Sequence, residues 1–259
     1  MAGQSQKGKN AGEGPSAPSS KKLNAFYQAS TGKYLSNEIE NCLTSSWPRE
    51  ELKECHLLCV GFPPPGIMET CLQGKSFALL SPSFLGSKKI VRKGRNMSAV
   101  GDETHLPFRE GSYDRILVFH ALEYTQDTVS FIEGLWKVLS PGGRIFLMVP
   151  NKKGAWKKSG LPYPDLAKPF LFREVRSFLE KNGFTLINNY GIWYGLPVDF
   201  FGTILFSGLL KRLSGGGSVG FPGFLIFEAE KKIISPICKP TRTFKKVPAN
   251  PAVSGIIPE

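Results

Sequence analysis

The segment from Tyr113 to Val149 constrains the fold more than any other part of the chain. An apolar run from Tyr113 to His120 is followed by a stretch with helical spacing, from Asp127 to Leu139. Pro141-Gly142-Gly143 then turns the chain into a second apolar run, Arg144 to Val149. The helical stretch repeats apolar side chains at Val129, Ile132, Leu135, Trp136 and Leu139. Two strands joined by a helix lie parallel in one sheet, so the segment predicts a β-α-β unit.

The same alternation continues on both sides of this unit. Further strands are predicted at His56 to Gly61, Ser76 to Leu80, about Asn96 to Val100, Phe184 to Tyr190, and Gly223 to Glu230. Helices are predicted at Phe26 to Leu43 and Phe172 to Lys181. Strands and helices that alternate through short Gly and Pro turns predict a Rossmann-like α/β domain, a mostly parallel sheet covered on both faces.

With 259 residues, 41% of them hydrophobic, the chain can bury the core of one such domain. We assign that domain to residues 23–235 and expect unstructured tails at 1–22 and 236–259, which are rich in Gly, Pro and Lys. No stretch approaches the roughly 20 uncharged apolar residues of a membrane span. The most apolar segment, Leu196 to Leu210, is predicted to be a buried or lid helix, with an interfacial membrane anchor as the alternative.

Cysteine usage and charge narrow the function classes. The five cysteines form no Cys-x-x-Cys pair, so neither a disulfide framework nor a metal site is indicated, and a reducing cytoplasm fits best. The net charge of +12 permits an anionic partner. Five cations lie between Lys88 and Arg95, without interleaved aromatics, which favours a solvated segment over an RNA-binding surface.

In an open α/β sheet, ligands bind beyond the carboxyl ends of the strands. The residues that follow the predicted strands are Gly61-Phe62, Asp102-Glu103, His120 and Pro150-Asn151. A glycine there lets a ligand approach the backbone, and an acid can accept hydrogen bonds from a nucleoside. We therefore expect Gly61 and Asp102 to border one pocket.

Four motifs give this pattern a more specific meaning. They are Val100 to Phe108 (VGDETHLPF), Ser112 to Ile116 (SYDRI), His120 to Glu123 (HALE) and Trp136 to Gly143 (WKVLSPGG). Together they resemble the methyltransferase type 11 pattern of class I S-adenosylmethionine-dependent methyltransferases. The resemblance implies a seven-stranded sheet with an antiparallel last strand and S-adenosylmethionine bound at the ends of the first strands.

The resemblance also implies which residues contact the cofactor. The loop after the first strand would face the methionine part of the cofactor. The acid after the predicted strand at about Asn96 to Val100 would lie near the adenine. The implied contacts are Cys59, Gly61, Phe62, Asp102, Glu103 and Leu106. His120 would lie near the transferred methyl group and is the predicted catalytic residue, a general base oriented by Glu123. The alternative role of His120 is to end the strand and shape the pocket.

The sequence departs from the family pattern in the loop and after the second strand. Only Gly61 of the usual glycines is present, and Pro63 to Pro65 have no backbone N–H to donate. The end of the second strand, Leu79 to Pro82, has no acid for the ribose hydroxyls. We predict methyl transfer to a small-molecule acceptor, with weaker cofactor binding than in relatives. A non-catalytic protein of the same fold and an RNA-modifying enzyme are the alternatives.

Overall fold

A seven-stranded sheet organises the protein. The computed structural model describes residues 20–86, 89–154, 168–193 and 222–232. The strands are β1 His56–Gly61, β2 Ser76–Pro82, β3 Val91–Arg92, β4 Arg95–Asn96, β5 Ser98–Gly101, β6 Tyr113–Phe119, β7 Leu139–Pro150, β8 Phe184–Ile192 and β9 Phe224–Lys231. The large sheet has the order β5-β2-β1-β6-β7-β9-β8, while β3 and β4 form a separate antiparallel hairpin.

The pairing confirms the predicted Rossmann-like class. Strands β5, β2, β1, β6 and β7 are parallel to their neighbours, and β9 runs antiparallel to both β7 and β8. The last strand is therefore the antiparallel one, as the family resemblance implied. Because the parallel strands all end at one edge, the loops that follow β1, β2, β5, β6 and β7 share that edge.

Helices cover both faces of the sheet. They are α1 Ser20–Gln28, α2 Ser30–Ser46, α3 Arg49–Glu54, α4 Pro65–Cys71, α5 Thr128–Val138 and α6 Phe172–Lys181. Leu57 and Cys59 of β1 pack with residues of α1 to α4, whereas Leu58 and Val60 pack with α5 and α6. Alternate residues of a strand point to opposite faces, so β1 is buried on both sides between two apolar layers.

The predicted single helix from Phe26 to Leu43 is two helices. The chain breaks at Ala29, whose extended backbone (φ −69°, ψ 156°) separates α1 from α2. The turn is tight enough that a Cβ atom on Gly32 would lie 2.1 Å from the Phe26 carbonyl oxygen. This break turns α1 back over the sheet instead of extending it away from α2.

The helix predicted from Asp127 to Leu139 forms as α5, with Asp127 as its N-cap. The Asp127 carboxylate accepts hydrogen bonds from the backbone N–H groups of Val129 and Ser130, at 3.1 and 3.0 Å. Ile132 and Leu135 of the predicted apolar stripe are fully buried. The prediction is wrong for Val129, whose side chain is 50% exposed. Val129 is exposed because it lies in the first turn of α5, beyond the part of the helix that packs on the sheet.

The Pro141 to Gly143 turn lies inside β7 and does not precede it. Tyr113 of β6 pairs with Leu139, and Arg115 pairs with Arg144, so β7 contains extra residues between these two pairs. Gly142, with φ of +72°, allows this excursion. The motif thus interrupts the pairing of one strand, and β7 begins at Leu139 rather than at Arg144.

Several predictions concern residues that the structure does not describe. The Leu196 to Leu210 segment and the C-terminal tail lie outside the described residues. Helix α1 begins at Ser20, within the predicted tail, and the division into tails and domain stays a prediction. Among the described helices, none combines the length and apolar character needed to cross a bilayer.

Candidate active site

Gly61, Asp102 and His120 come directly after or at the ends of β1, β5 and β6. These strands belong to the parallel part of the sheet, so the three residues lie at the same edge. His120 is separated from Gly61 by one strand spacing, because Gly61 pairs with Phe119. Asp102 lies farther along the edge, beyond β2.

Gly61 brings two backbones together at this edge. Its φ of +102° is a conformation that favours glycine, and a Cβ atom would lie 1.9 Å from the Phe119 carbonyl oxygen. The next N–H, that of Phe62, donates to the same oxygen at 2.8 Å. Gly61 therefore allows the β1 backbone to lie close to the end of β6. The first N–H of the loop, that of Phe62, donates to β6 and is not available to a ligand.

The two other predicted loop residues are buried. Cys59 is fully buried in the layer under α1 to α4. The Phe62 ring is also buried and stacks on Tyr27 of α1, with ring centroids 6.2 Å apart and an interplanar angle of 12°. Helix α1 thus covers the start of the loop through an aromatic contact.

Asp102 forms a local cluster with the two residues that follow Glu103. Its carboxylate accepts from the Thr104 hydroxyl at 2.7 Å and the Thr104 backbone N–H at 2.8 Å, and it lies 3.2 Å from Nδ1 of His105. The Thr104 hydrogen bonds lower the pKa of Asp102, with a smaller effect of His105, so the carboxylate stays ionised. The side chain is 57% exposed and accessible to a ligand.

Glu103 and Leu106 flank this cluster. Glu103 is buried, and Leu106 packs on the face of the sheet that α5 covers, close to Gly134. The structure therefore brings Asp102, Glu103 and Leu106 together at the carboxyl end of β5. Their contact with adenine remains a prediction.

His120 is the centre of a buried hydrogen-bonded chain. The Tyr27 hydroxyl lies 2.7 Å from Nε2 of His120, and Nδ1 lies 3.2 Å from Oε1 of Glu123. Burial, and then the Glu123 charge, raise the pKa of Tyr27 well above its ordinary value, so the phenol stays protonated. Its O–H therefore donates the hydrogen bond to Nε2 of His120. Nδ1 then carries the ring proton and donates to Glu123.

The backbone of His120 is strained. Its φ of +53° lies in the left-handed region, and its side chain is fully buried. Such conformations persist where the surroundings hold them, often at functional sites. Glu123 was expected at this histidine, whereas Tyr27 was not, because its partner lies 93 positions away and no local pattern connects them.

Tyr124 supplies a second polar group near the ends of β2 and β6. Its hydroxyl is buried and has no hydrogen-bond partner among the described residues, and its ring lies 6.0 Å from that of Phe84. Burial raises the pKa of Tyr124, with a smaller contribution from Glu123. A buried hydroxyl of this kind is costly unless something binds to it.

Comparisons with known proteins relate part of the chain to methyltransferases. Residues 78–147 match the family model of the methyltransferase domain. Norajmaline N-methyltransferase from Rauvolfia serpentina is 35% identical over 74 residues, which span 27% of this chain and 25% of that enzyme. Residues 78–147 of this chain are therefore similar to the methyltransferase domain family. The family implies S-adenosylmethionine as the cofactor.

Solved methyltransferases share the fold of this chain. A methyltransferase from Thermotoga maritima has a TM-score of 0.52 and 14% identity, covering 82% of this chain and 99% of its own. A methyltransferase from Mesorhizobium loti has the same TM-score and 15% identity, covering 73% of this chain and 96% of its own. At such identities the similarity concerns the fold alone.

The residues at this edge of the sheet fit the two halves of S-adenosylmethionine unequally. On the nucleoside side, Asp102 offers an exposed carboxylate and Tyr124 a buried hydroxyl without a described partner. On the methionine side, the Phe62 backbone N–H already donates to the Phe119 carbonyl oxygen. Pro63 to Pro65 have no backbone N–H to donate. The nucleoside half fits, whereas the methionine half finds few donors.

Ser81 lies near the end of β2, where the sequence has no acid for the ribose hydroxyls. Its side chain is buried, and the hydroxyl donates to the Gly86 carbonyl oxygen at 2.6 Å. The hydroxyl is therefore already paired within the protein. Within the described residues, no group of three or more His, Cys, Asp or Glu side chains is arranged to hold a metal ion.

Proposed function

We propose that this protein transfers a methyl group from S-adenosylmethionine to a small-molecule acceptor. The observation that carries the proposal is the shared edge at which β1, β5 and β6 end. Strands β5 and β6 lie within residues 78–147, which match the methyltransferase domain. The cofactor supplies an electrophilic methyl group when it is bound. Asp102, Glu103, Leu106 and the Tyr124 hydroxyl would hold its nucleoside part.

His120 would accept the proton that the acceptor loses. Its Nε2 atom now accepts from the Tyr27 hydroxyl, and an amine or hydroxyl of the acceptor can take the same place as donor. Glu123, 3.2 Å from Nδ1, orients the ring and stabilises the positive charge that a second proton brings. Because the ring is fully buried, Tyr27 must move aside before an acceptor reaches it.

The small acceptor is supported by the relative and by the surroundings of His120. The relative from Rauvolfia serpentina is named for N-methylation of norajmaline, and it matches 74 residues of this chain. Tyr27 meets the histidine edge to face and stacks on Phe62, so aromatic side chains lie beside the predicted base. The alternative of RNA modification has no comparable feature in the described residues.

We also propose that the protein works in the cytoplasm. Support comes from Cys55 and Cys71, which form no disulfide in the structure. Burial raises the pKa of Cys71 and that of Cys55. Thiols of this kind are poorly reactive and consistent with a reducing compartment.

Calorimetric titration with S-adenosylmethionine and S-adenosylhomocysteine tests the proposal. We expect saturable binding that Asp102→Ala weakens and Glu133→Ala, an exposed acid on α5, does not. Glu123→Gln should leave binding intact and reduce transfer of labelled methyl groups to a panel of amines and phenols. No wild-type binding up to millimolar cofactor would instead support the non-catalytic protein of the same fold.

A further inference from the structure

A cleft of about 560 Å³ opens beside β7, β8 and β9, at the same edge of the sheet. Its volume lies within the range of roughly 300 to 1,000 Å³ that small-molecule sites occupy. Gly61, Asp102 and His120 are not among the described residues that line it. The cleft is therefore separate from the predicted cofactor contacts.

The walls of the cleft combine apolar and polar groups. Phe172 of α6 and Leu225 and Ile226 of β9 provide apolar surface. Asn151 lies at the end of β7, where its side-chain N–H donates to the Pro222 carbonyl oxygen at 2.7 Å. Asn189 of β8 adds an exposed amide. This mixture suits a molecule with an apolar body and a polar end.

The charge of the cleft is positive. Lys153 and Arg173 line it, and none of its described lining residues is acidic. Neither cation forms an ion pair with any described residue. The acid that follows Arg173, Glu174, accepts from the Leu171 backbone N–H at 2.8 Å and does not line the cleft. Two cations without counter-charges on one cleft favour an anion.

We propose that this cleft binds a small amphipathic anion, with its carboxylate or phosphate group held by Lys153 and Arg173 and its apolar part against Phe172 and Leu225. Its position favours the acceptor as this ligand, an assignment that rests on the proposed function. Asn151 follows β7, and β7 pairs with β6, which ends beside His120. Adjacent strands lie about 4.8 Å apart, so a small molecule can reach from the cleft toward that strand.

Titration of the cofactor-free protein with phenyl phosphate, benzoate, inorganic phosphate and neutral benzyl alcohol tests the cleft. We expect saturable binding of at least one aromatic anion, weaker binding of inorganic phosphate and none of benzyl alcohol. The ratio of phenyl phosphate to benzoate affinity identifies which anionic group is preferred. Affinity should fall as salt rises from about 0.01 to 0.15 M, because ions screen exposed charges.

Charge-removing variants locate the binding. Lys153→Gln and Arg173→Gln should each weaken binding of the preferred anion roughly two- to fivefold, and the double variant about tenfold or more. Lys152→Gln, an exposed neighbour that does not line the cleft, should leave affinity unchanged. Phe172→Ala should weaken the aromatic anions and spare inorganic phosphate. These side chains are at least partly exposed, and thermal unfolding checks that each variant is folded.

Three results would overturn the cleft assignment: no anion binding up to millimolar concentration, equal losses in Lys152→Gln and Lys153→Gln, or unchanged affinity in the double variant. Because this titration contains no cofactor, its failure leaves the proposed methyl transfer untouched. Failure of the S-adenosylmethionine titration would overturn the proposed function and leave the anion-binding cleft standing.

Discussion

The Tyr27 hydroxyl and Nε2 of His120 lie 2.7 Å apart, joining the first helix of the chain to the end of β6. The two rings also meet edge to face, with centroids 5.7 Å apart. Both side chains are buried, so this contact holds α1 on the edge of the sheet at which β1 and β6 end. The position of α1 and the geometry of His120 are therefore coupled.

Tyr27→Phe should destabilise the protein by about 1 to 3 kcal/mol, because Nε2 of buried His120 loses the hydroxyl that donates to it. Urea unfolding measures the loss. Tyr113→Phe is the matched control, since Tyr113 is half-buried and its hydroxyl has no hydrogen bond among the described residues. The control should stay within about 0.5 kcal/mol of wild type. Equal losses in the two variants would show that the Tyr27 contact is not stabilising.

Gly61→Ala should be far more damaging than Gly111→Ala, although both glycines have positive φ. A Cβ atom on Gly61 would lie 1.9 Å from the Phe119 carbonyl oxygen, whereas Gly111 has open space around that position. We expect about 3 kcal/mol or more for Gly61→Ala and about 1 to 2 kcal/mol for Gly111→Ala. Denaturant midpoints compare them, and similar losses would contradict the close approach of β1 to β6.

The N-cap of α5 should make stability depend on pH. The Ser130 hydroxyl, followed by its backbone N–H, lowers the pKa of Asp127 below its ordinary value of 3.8. A lowered folded-state pKa stabilises the protein above the unfolded pKa, and this contribution is lost as pH falls through the folded pKa. Asp127→Asn should therefore be less stable than wild type at neutral pH, and the difference should shrink as pH falls below the ordinary Asp pKa of 3.8.

Urea midpoints at neutral and acidic pH measure this difference. Asp127→Asn keeps an oxygen that can accept from Val129 and Ser130, so Asp127→Ala should lose more stability at neutral pH. Glu133→Gln, an exposed acid on the same helix, controls for a general effect of charge. A constant difference between wild type and Asp127→Asn at every pH would exclude the carboxylate as the titrating group.

The sheet could be predicted because each buried strand is a short apolar run ending at a turn residue, as at His56 to Gly61. The break at Ala29 could not be predicted, because no Gly or Pro stands there and the apolar spacing continues across it. Strand ends identified the edge that holds Gly61, Asp102 and His120. The contact of Tyr27 with His120 could not be predicted, because only folding brings α1 next to the end of β6.

Replacing Pro63 with alanine should strengthen binding of S-adenosylmethionine if the loop after β1 faces the methionine part. The variant restores one backbone N–H to a loop in which the Phe62 N–H is already used and Pro63 to Pro65 have none. One added hydrogen bond of about 0.5 to 1.5 kcal/mol corresponds to roughly two- to tenfold tighter binding. Calorimetry on Pro63→Ala and on Pro48→Ala, which precedes α3 at the opposite edge of the sheet, compares the two sites. Equal affinities in these variants and wild type would place the methionine part away from this loop.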